Sequence, residues 1–250
     1  MTSVALYTVG SVLLVSAVSL AGIALIGLSD DAFARALSIL ISFAVGGLLG
    51  DVFIHILPEI SSYGPEFFQS ASLIILGGIL LSFLLEKIIH WRHCHSPDCP
   101  EHPRALGLVS LFGDAVHNFS DGLLIAGSYL VNVPTGIATT LAVVLHEIPQ
   151  EIGDYAILRH SGYTRSRAIF LNFLTALMAV AGATLVLLLQ KTLPNMERYL
   201  LPLVAGNFLY IAIADLLPEL HKQTRAIRSA MQLLVALAGV AVMFAFRAME

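Results

Sequence analysis

The sequence predicts an all-α polytopic membrane protein with eight transmembrane helices. Three observations predict it. Hydrophobic residues make up 57% of the 250 residues and charged residues only 12%, against roughly 45–50% and about 25% in an ordinary soluble domain. The mean hydropathy is +0.85. The apolar residues also come in long runs parted by short polar punctuation, the pattern of repeated membrane crossing. Eight spans of roughly 20 residues occupy about 160 residues, so no room is left for a sizeable soluble domain. Residues 1–250 read as a single transmembrane domain. The apolar content also excludes intrinsic disorder.

The expected spans are 4–28, 35–57, 70–90, 105–130, 135–159, 165–190, 201–221 and 226–247. All eight should be helices, because lipid tolerates only helices or closed barrels and these runs are too long for barrel strands. The first 28 residues lack a positive leading region and an A-x-A cleavage site, so they are expected to stay as the first span. Two breaks are short. Asn132 to Pro134 separates the fourth and fifth spans, and Arg159 to Arg165 separates the fifth and sixth.

The basic residues set the expected orientation. Ten of the 13 Lys and Arg residues fall on one side in alternate linkers and their flanks: Arg35, Lys87, Arg92, Arg104, Arg159, Arg165, Arg167, Lys222, Arg225 and Arg228. Lys191, Arg198 and Arg247 fall on the other. The positive-inside rule then puts both termini on the non-cytoplasmic side and the linker 91–104 in the cytoplasm. A net charge of −4 with no basic stripe argues against nucleic acid as a partner. Two cysteines in one linker do not make a secreted disulfide scaffold.

An internal repeat is legible. Gly46 to Ile60 reads GGLLGDVFIHILPEI, and Gly206 to Leu220 reads GNFLYIAIADLLPEL. At an offset of 160, Gly46 meets Gly206, His55 meets Asp215, and Pro58-Glu59 meets Pro218-Glu219. The first segment runs outward and the second inward, so spans one to three and six to eight form an inverted repeat. Such repeats are common in secondary transporters. Spans four and five fall between them.

Those two middle spans carry the chemistry. The fourth holds Asp114, His117, Asn118, Ser120 and Asp121; the fifth holds His146, Glu147, Pro149, Gln150, Glu151 and Asp154. His117 and Asp121, four apart, share one helix face, and His146 with Gln150 and Glu147 with Glu151 do the same. A lone charge at the bilayer centre costs several kcal/mol, so these residues should face the bundle interior or a wet pathway. No Lys or Arg lies between Asp114 and Asp154. The expected partner is therefore a cation that does not belong to the polypeptide. Imidazole with carboxylate suits a divalent first-row metal, zinc in particular. Magnesium and calcium prefer all-oxygen shells.

Pro149 cannot donate to the carbonyl of Leu145, which leaves that oxygen free to help line a site. Asp51, His55, Asp114, Asp154 and Asp215 are expected as path or gating residues. His93, Cys94, His95, Cys99 and His102 crowd the linker 91–104 and offer loop metal binding, though their spacing fits no zinc-finger template. H-E-I-P-Q at 146–150 is not the H-E-x-x-H of a zinc protease, because Gln150 stands at the second histidine position.

At H-N-F-S-D-G (117–122) and H-E-I-P-Q-E-I-G-D (146–154), the sequence resembles the ZIP family of zinc and iron transporters, closest to the branch with HNFxDG and HExPHE-like motifs. The likeness covers essentially the whole chain, including D-V-F-I-H-I-L-P-E at 51–59. It implies a 3+2+3 helix arrangement, metal sites between the fourth and fifth spans, and in many members a homodimer. By resemblance, His117, Asn118 and Asp121 supply ligands from the fourth span. His146, Glu147 and the position of Gln150 supply those of the fifth, and Glu151 matches the branch's final glutamate. The branch has histidine where this chain has Gln150, a neutral and weaker ligand, which argues against a tightly held second metal.

The resemblance implies import of divalent metal into the cytoplasm by alternating access, with no enzymatic step and no resident cofactor. Zn2+ is the expected substrate, with Fe2+, Mn2+ or Cd2+ as alternatives. A membrane-embedded metallohydrolase and a non-transporting metal sensor or scaffold are the competing classes. A bacterial inner membrane is the expected location, given the short chain, with an endomembrane as its eukaryotic counterpart.

Overall fold

The computed structural model describes residues 2–20, 30–91, 103–193 and 195–247. Among the described residues the chain forms eight helical rods. α1 is Thr2–Val18. α2 starts as Asp30–Gly50, passes through a π-helical turn at Asp51–Ile56 and ends as Leu57–Ser62. α3 is Pro65–Trp91, α4 is Pro103–Val131 and α5 is Val133–His160. α6 comprises Arg165–Ala176 and Met178–Leu189, on either side of Leu177. α7 is Met196–Tyr210, a second π-helical turn at Ile211–Leu216, and Leu217–His221. α8 is Ala226–Arg247.

Among the described residues, five segments are long and apolar enough to cross a membrane: Arg35–Ser62, Pro65–Lys87, Arg165–Leu189, Met196–His221 and Ala226–Arg247. α4 and α5 fall outside that set, and they carry Asp114, Asp121, Glu147, Glu151 and Asp154. They are also the two central helices. α4 touches α1, α3, α5, α6 and α7, while α5 touches α1, α2, α4, α6 and α8. A helix surrounded by protein need not be apolar on every face. Leu6, Leu73, Leu188 and Ile227, on outer helices, are exposed, as lipid-facing side chains must be.

Several expected span boundaries move. α1 ends at Val18, the Ser19 hydroxyl donates to the Ser16 carbonyl in the turn that follows, and the expected span end at 28 falls outside the described residues. Residues 21–29 lie outside the described set. α2 continues past 57 to Ser62 although Pro58 lies in the way. The π turn absorbs the proline: the Leu57 N–H reaches back five residues to the Val52 carbonyl, and Pro58 then starts a fresh α segment where no N–H is required. The same device recurs 160 residues later, where the Leu217 N–H bonds the Ala212 carbonyl just before Pro218. α3 begins at Pro65, not 70, after a turn through Gly64 at φ +98°. α7 begins at Met196, not 201, and α6 is interrupted at Leu177.

Glycines set how closely the rods approach. A Cβ on Gly122 of α4 would lie 1.9 Å from the Ala179 carbonyl oxygen of α6. One on Gly46 of α2 would lie 1.9 Å from the Ala236 oxygen of α8. Gly206 of α7 meets the backbone of Ile75 and Gly78 of α3 in the same manner. Such backbone-to-backbone packing through small residues gives membrane helices dispersion contact without a hydrophobic drive between them.

Candidate metal centre

α4 and α5 run side by side, joined by a break at Asn132, whose side chain caps α5 by accepting from the Thr135 N–H. This pairing brings His117 and Asp121 of α4 against His146 and Glu147 of α5. The imidazole Nε2 atoms of His117 and His146 are 3.2 Å apart. His146 Nε2 is 3.1 Å from Asp121 Oδ2 and 3.6 Å from Glu147 Oε1. His117 Nε2 is 3.2 Å from Glu147 Oε1 and 3.6 Å from Asp121 Oδ2. All four donor atoms lie within 4.8 Å of one another. A tetrahedral zinc ion with bonds of about 2.0–2.1 Å spaces its donors roughly 3.3 Å apart. The observed separations bracket that spacing.

The centre is dry on most sides. The side chains of Asp121, His146 and Glu147 are no more than 1% exposed, while His117 retains 20%. Asp121 Oδ1 and both Glu147 carboxylate oxygens are buried without a hydrogen-bond partner. Buried carboxylate oxygens without donors are costly, and a cation between them removes that cost. His146 Nδ1 lies 3.0 Å from the Ala142 carbonyl. A carbonyl only accepts, so Nδ1 carries a proton and Nε2 is the nitrogen that faces the cluster and can take a metal ion.

Other polar residues flank the centre. Asp51 and His55, in the π turn of α2, are buried and paired at 3.2 Å, and the Thr139 hydroxyl donates to Asp51 at 3.0 Å. Toward the start of α4, Asn118 donates to the Asp114 carboxylate at 2.8 Å, and Thr175 of α6 donates to its other oxygen. Glu151 accepts from Asn172 of α6, and Asp154 accepts from Ser110 at 2.6 Å.

Four of the expected ligands therefore converge: His117, Asp121, His146 and Glu147. Asn118 Nδ2 donates to Asp114 while its Oδ1 stays buried without a partner, Glu151 accepts from Asn172, and Gln150 is half-buried. Asp215 is exposed on α7. His93, Cys94, His95, Cys99 and His102 lie outside the described residues. Thr139, Asn172 and Thr175 escaped the sequence reading. A single Thr or Asn in an apolar span carries little signal, because it so often bonds its own helix carbonyls.

The donor set and its place between two central helices can be compared with known proteins. The family model described as ZIP zinc transporter matches residues 2–105 and 92–247. The chain belongs to the ZIP family. Zinc transporter ZIP13 of Pongo abelii is 37% identical over 88% of this chain and 69% of its own length. Zinc transporter ZIP13 of Homo sapiens is 33% identical, covering 88% of this chain and 73% of its own length. Zinc transporter SLC39A7 of Mus musculus is 29% identical over 95% of this chain. As a ZIP member the chain is a multi-pass membrane protein, and its His/Asp/His/Glu cluster is of the kind a ZIP metal site requires. The relatives named are animal proteins, which lends the expected bacterial inner membrane no support.

Proposed function

We propose that the protein carries divalent metal, zinc foremost, across its membrane into the cytoplasm by alternating access. The observation that carries this reading is the four-donor cluster of His117, Asp121, His146 and Glu147, buried at the heart of a membrane bundle with orphaned carboxylate oxygens. The cluster offers one ion a complete tetrahedral shell, so the site is mononuclear. Metal sheds water as two imidazoles and two carboxylates replace its hydration shell. On the cytoplasmic side, Glu151, Asp114 and Asp154 form a descending series of carboxylates held by Asn172, Thr175 and Ser110. On the non-cytoplasmic side, Asp51 and His55 guard the approach.

Alternating access draws on an inverted repeat of spans one to three and six to eight around the α4–α5 pair, a 3+2+3 plan. Three features support it. The two π turns stand at the same register, Asp51–Ile56 and Ile211–Leu216. The α2–α8 and α7–α3 pairs approach through matching glycines, Gly46 and Gly206. The Ser16 hydroxyl of α1 donates at 2.8 Å to the carbonyl of Ala176, its own counterpart at offset 160. A residue touches its symmetry mate only near the axis relating them. Both termini are non-cytoplasmic, and the linker 91–104 is cytoplasmic.

Competitive metal uptake in proteoliposomes tests this reading. Saturable zinc uptake is expected, with loss in His146→Ala. Undiminished flux in that variant would remove the proposed site, and a strong preference for iron or manganese would keep the site and change its substrate.

A further inference from the structure

Pro58 and Pro218 have no N–H to return to the carbonyls four residues back, those of Ile54 and Ala214. At the first position a donor comes from another helix. Arg247, the last residue of α8, donates from Nη1 to the Ile54 oxygen at 2.5 Å. The counterpart of Arg247 at offset 160 is Lys87, also a cation, near the end of α3. α3 packs on α7 as α8 packs on α2, with the glycine crossings already described. By position in the repeat, Lys87 corresponds to Arg247 and Ala214 to Ile54. The Lys87 ammonium, however, lies 6.0 Å from the centroid of its own helix's Phe83 ring.

Burial differs between the halves in the same sense. His55, beside the Arg247 contact, is 3% exposed, whereas its counterpart Asp215 is exposed. Where the cation reaches the carbonyl four residues before the proline, the π turn is closed into the bundle. Where the cation lies on its own helix, the turn is open.

We infer that Arg247 and Lys87 are reciprocal positioning residues for the two gates. Arg247 on Ile54 holds the α2 turn, with Asp51 and His55, closed on the non-cytoplasmic side. In the opposite state Arg247 releases Ile54, and Lys87 takes the Ala214 carbonyl and closes α7 on the cytoplasmic side. A long cationic side chain suits the task. Its apolar stem lies along the helix while its head bonds a carbonyl at membrane depth, and a charged donor makes a stronger bond than a neutral one. The inference rests on the alternating-access reading and its inverted repeat.

The test uses the full chain with Cys94→Ser and Cys99→Ser, carrying either Ile56→Cys or Leu216→Cys as a reporter. A membrane-impermeant maleimide is added to right-side-out or inside-out vesicles. Arg247→Ala is expected to raise labelling at position 56 from outside by about threefold or more and to lower it at 216 from the cytoplasmic side. Lys87→Ala is expected to shift both in the opposite direction. Arg247→Lys keeps the charged donor and should restore wild-type labelling. Should Arg247→Ala fail to reach the membrane, Arg247→Gln, which loses the charge and keeps most of the bulk, gives the same readout. Unmoved labelling, or shifts of the same sign in both variants, overturns the pairing. Zinc uptake by the wild type in the same vesicles separates the two ideas. Uptake with unmoved labelling sinks the latch alone, and opposite shifts without uptake sink the transport reading alone.

Discussion

His146 Nδ1 sits 3.0 Å from the carbonyl oxygen of Ala142, one turn back in the same helix, and this contact fixes which ring nitrogen faces the metal cluster. Because the backbone oxygen holds Nδ1, Nε2 is the nitrogen turned to Asp121, Glu147 and His117. Replacing His146 by alanine removes one of the four proposed ligands. Since even a residue that merely orients a ligand is worth about 10–100-fold in metal affinity, zinc uptake at low concentration should fall at least that far. Radiotracer or fluorescent-zinc uptake measures it, and near-normal uptake would exclude His146 from the shell.

Metal should also stabilise the protein by mass action. A ligand present at 100 times its dissociation constant adds about 2.7 kcal/mol to the folded state. Zinc should therefore raise the Tm of the wild type in detergent, and the rise should vanish in Asp121→Ala. An equal rise in both would place the stabilising ion elsewhere, the linker 91–104 being the first place to look.

Gln150 stands at the position where the resembling branch has histidine, and it is half-buried. Four other donors, His117, Asp121, His146 and Glu147, already converge within 4.8 Å of one another. Gln150→Ala is therefore expected to keep zinc uptake within about twofold of wild type, as for substitutions away from a site. A tenfold loss would return Gln150 to the ligand set.

The α4–α6 contact sets the frame in which His117 and Asp121 sit. A methyl group on Gly122 would lie 1.9 Å from the Ala179 oxygen, so Gly122→Ala must force the two helices apart. Overpacking of this kind costs about 1–3 kcal/mol, and a lowered Tm is expected. Gly77→Ala on α3, where nothing lies within 4 Å of the added carbon, is the matched control and should leave Tm unchanged or slightly higher.

Glu151 depends on a residue the sequence did not single out. The Asn172 amide donates to its carboxylate and, at 3.0 Å, to its backbone carbonyl. Asn172→Leu keeps the branched shape and removes both hydrogen bonds, leaving a buried carboxylate short of partners. The expected cost is about 1–3 kcal/mol of stability. If Glu151 receives metal from the central cluster, maximal uptake rate should change more than the half-saturating concentration. Thermal melts and uptake kinetics check the two halves separately.

The sequence by itself determined the class of the protein and the residues at its centre. Apolar runs of span length admit one solution in lipid, so eight helices were legible from composition and punctuation. Ionisable residues without a Lys or Arg nearby pointed to an external cation, and the motifs around His117 and His146 pointed to the ZIP family. Helical spacing alone put His117 with Asp121 on one face. Only the tertiary structure decided which face of α4 meets which face of α5. That pairing chose Asp121 and Glu147 from among five acidic residues, because approach distance depends on helix rotation and on the glycine crossings that set helix separation. It also gave Asp114, Glu151 and Asp154 their partners Thr175, Asn172 and Ser110, far away in sequence. The end of α2 moved from 57 to Ser62 for a local reason that hydrophobic periodicity does not contain: a π turn lets the helix run through Pro58, which would otherwise mark its end.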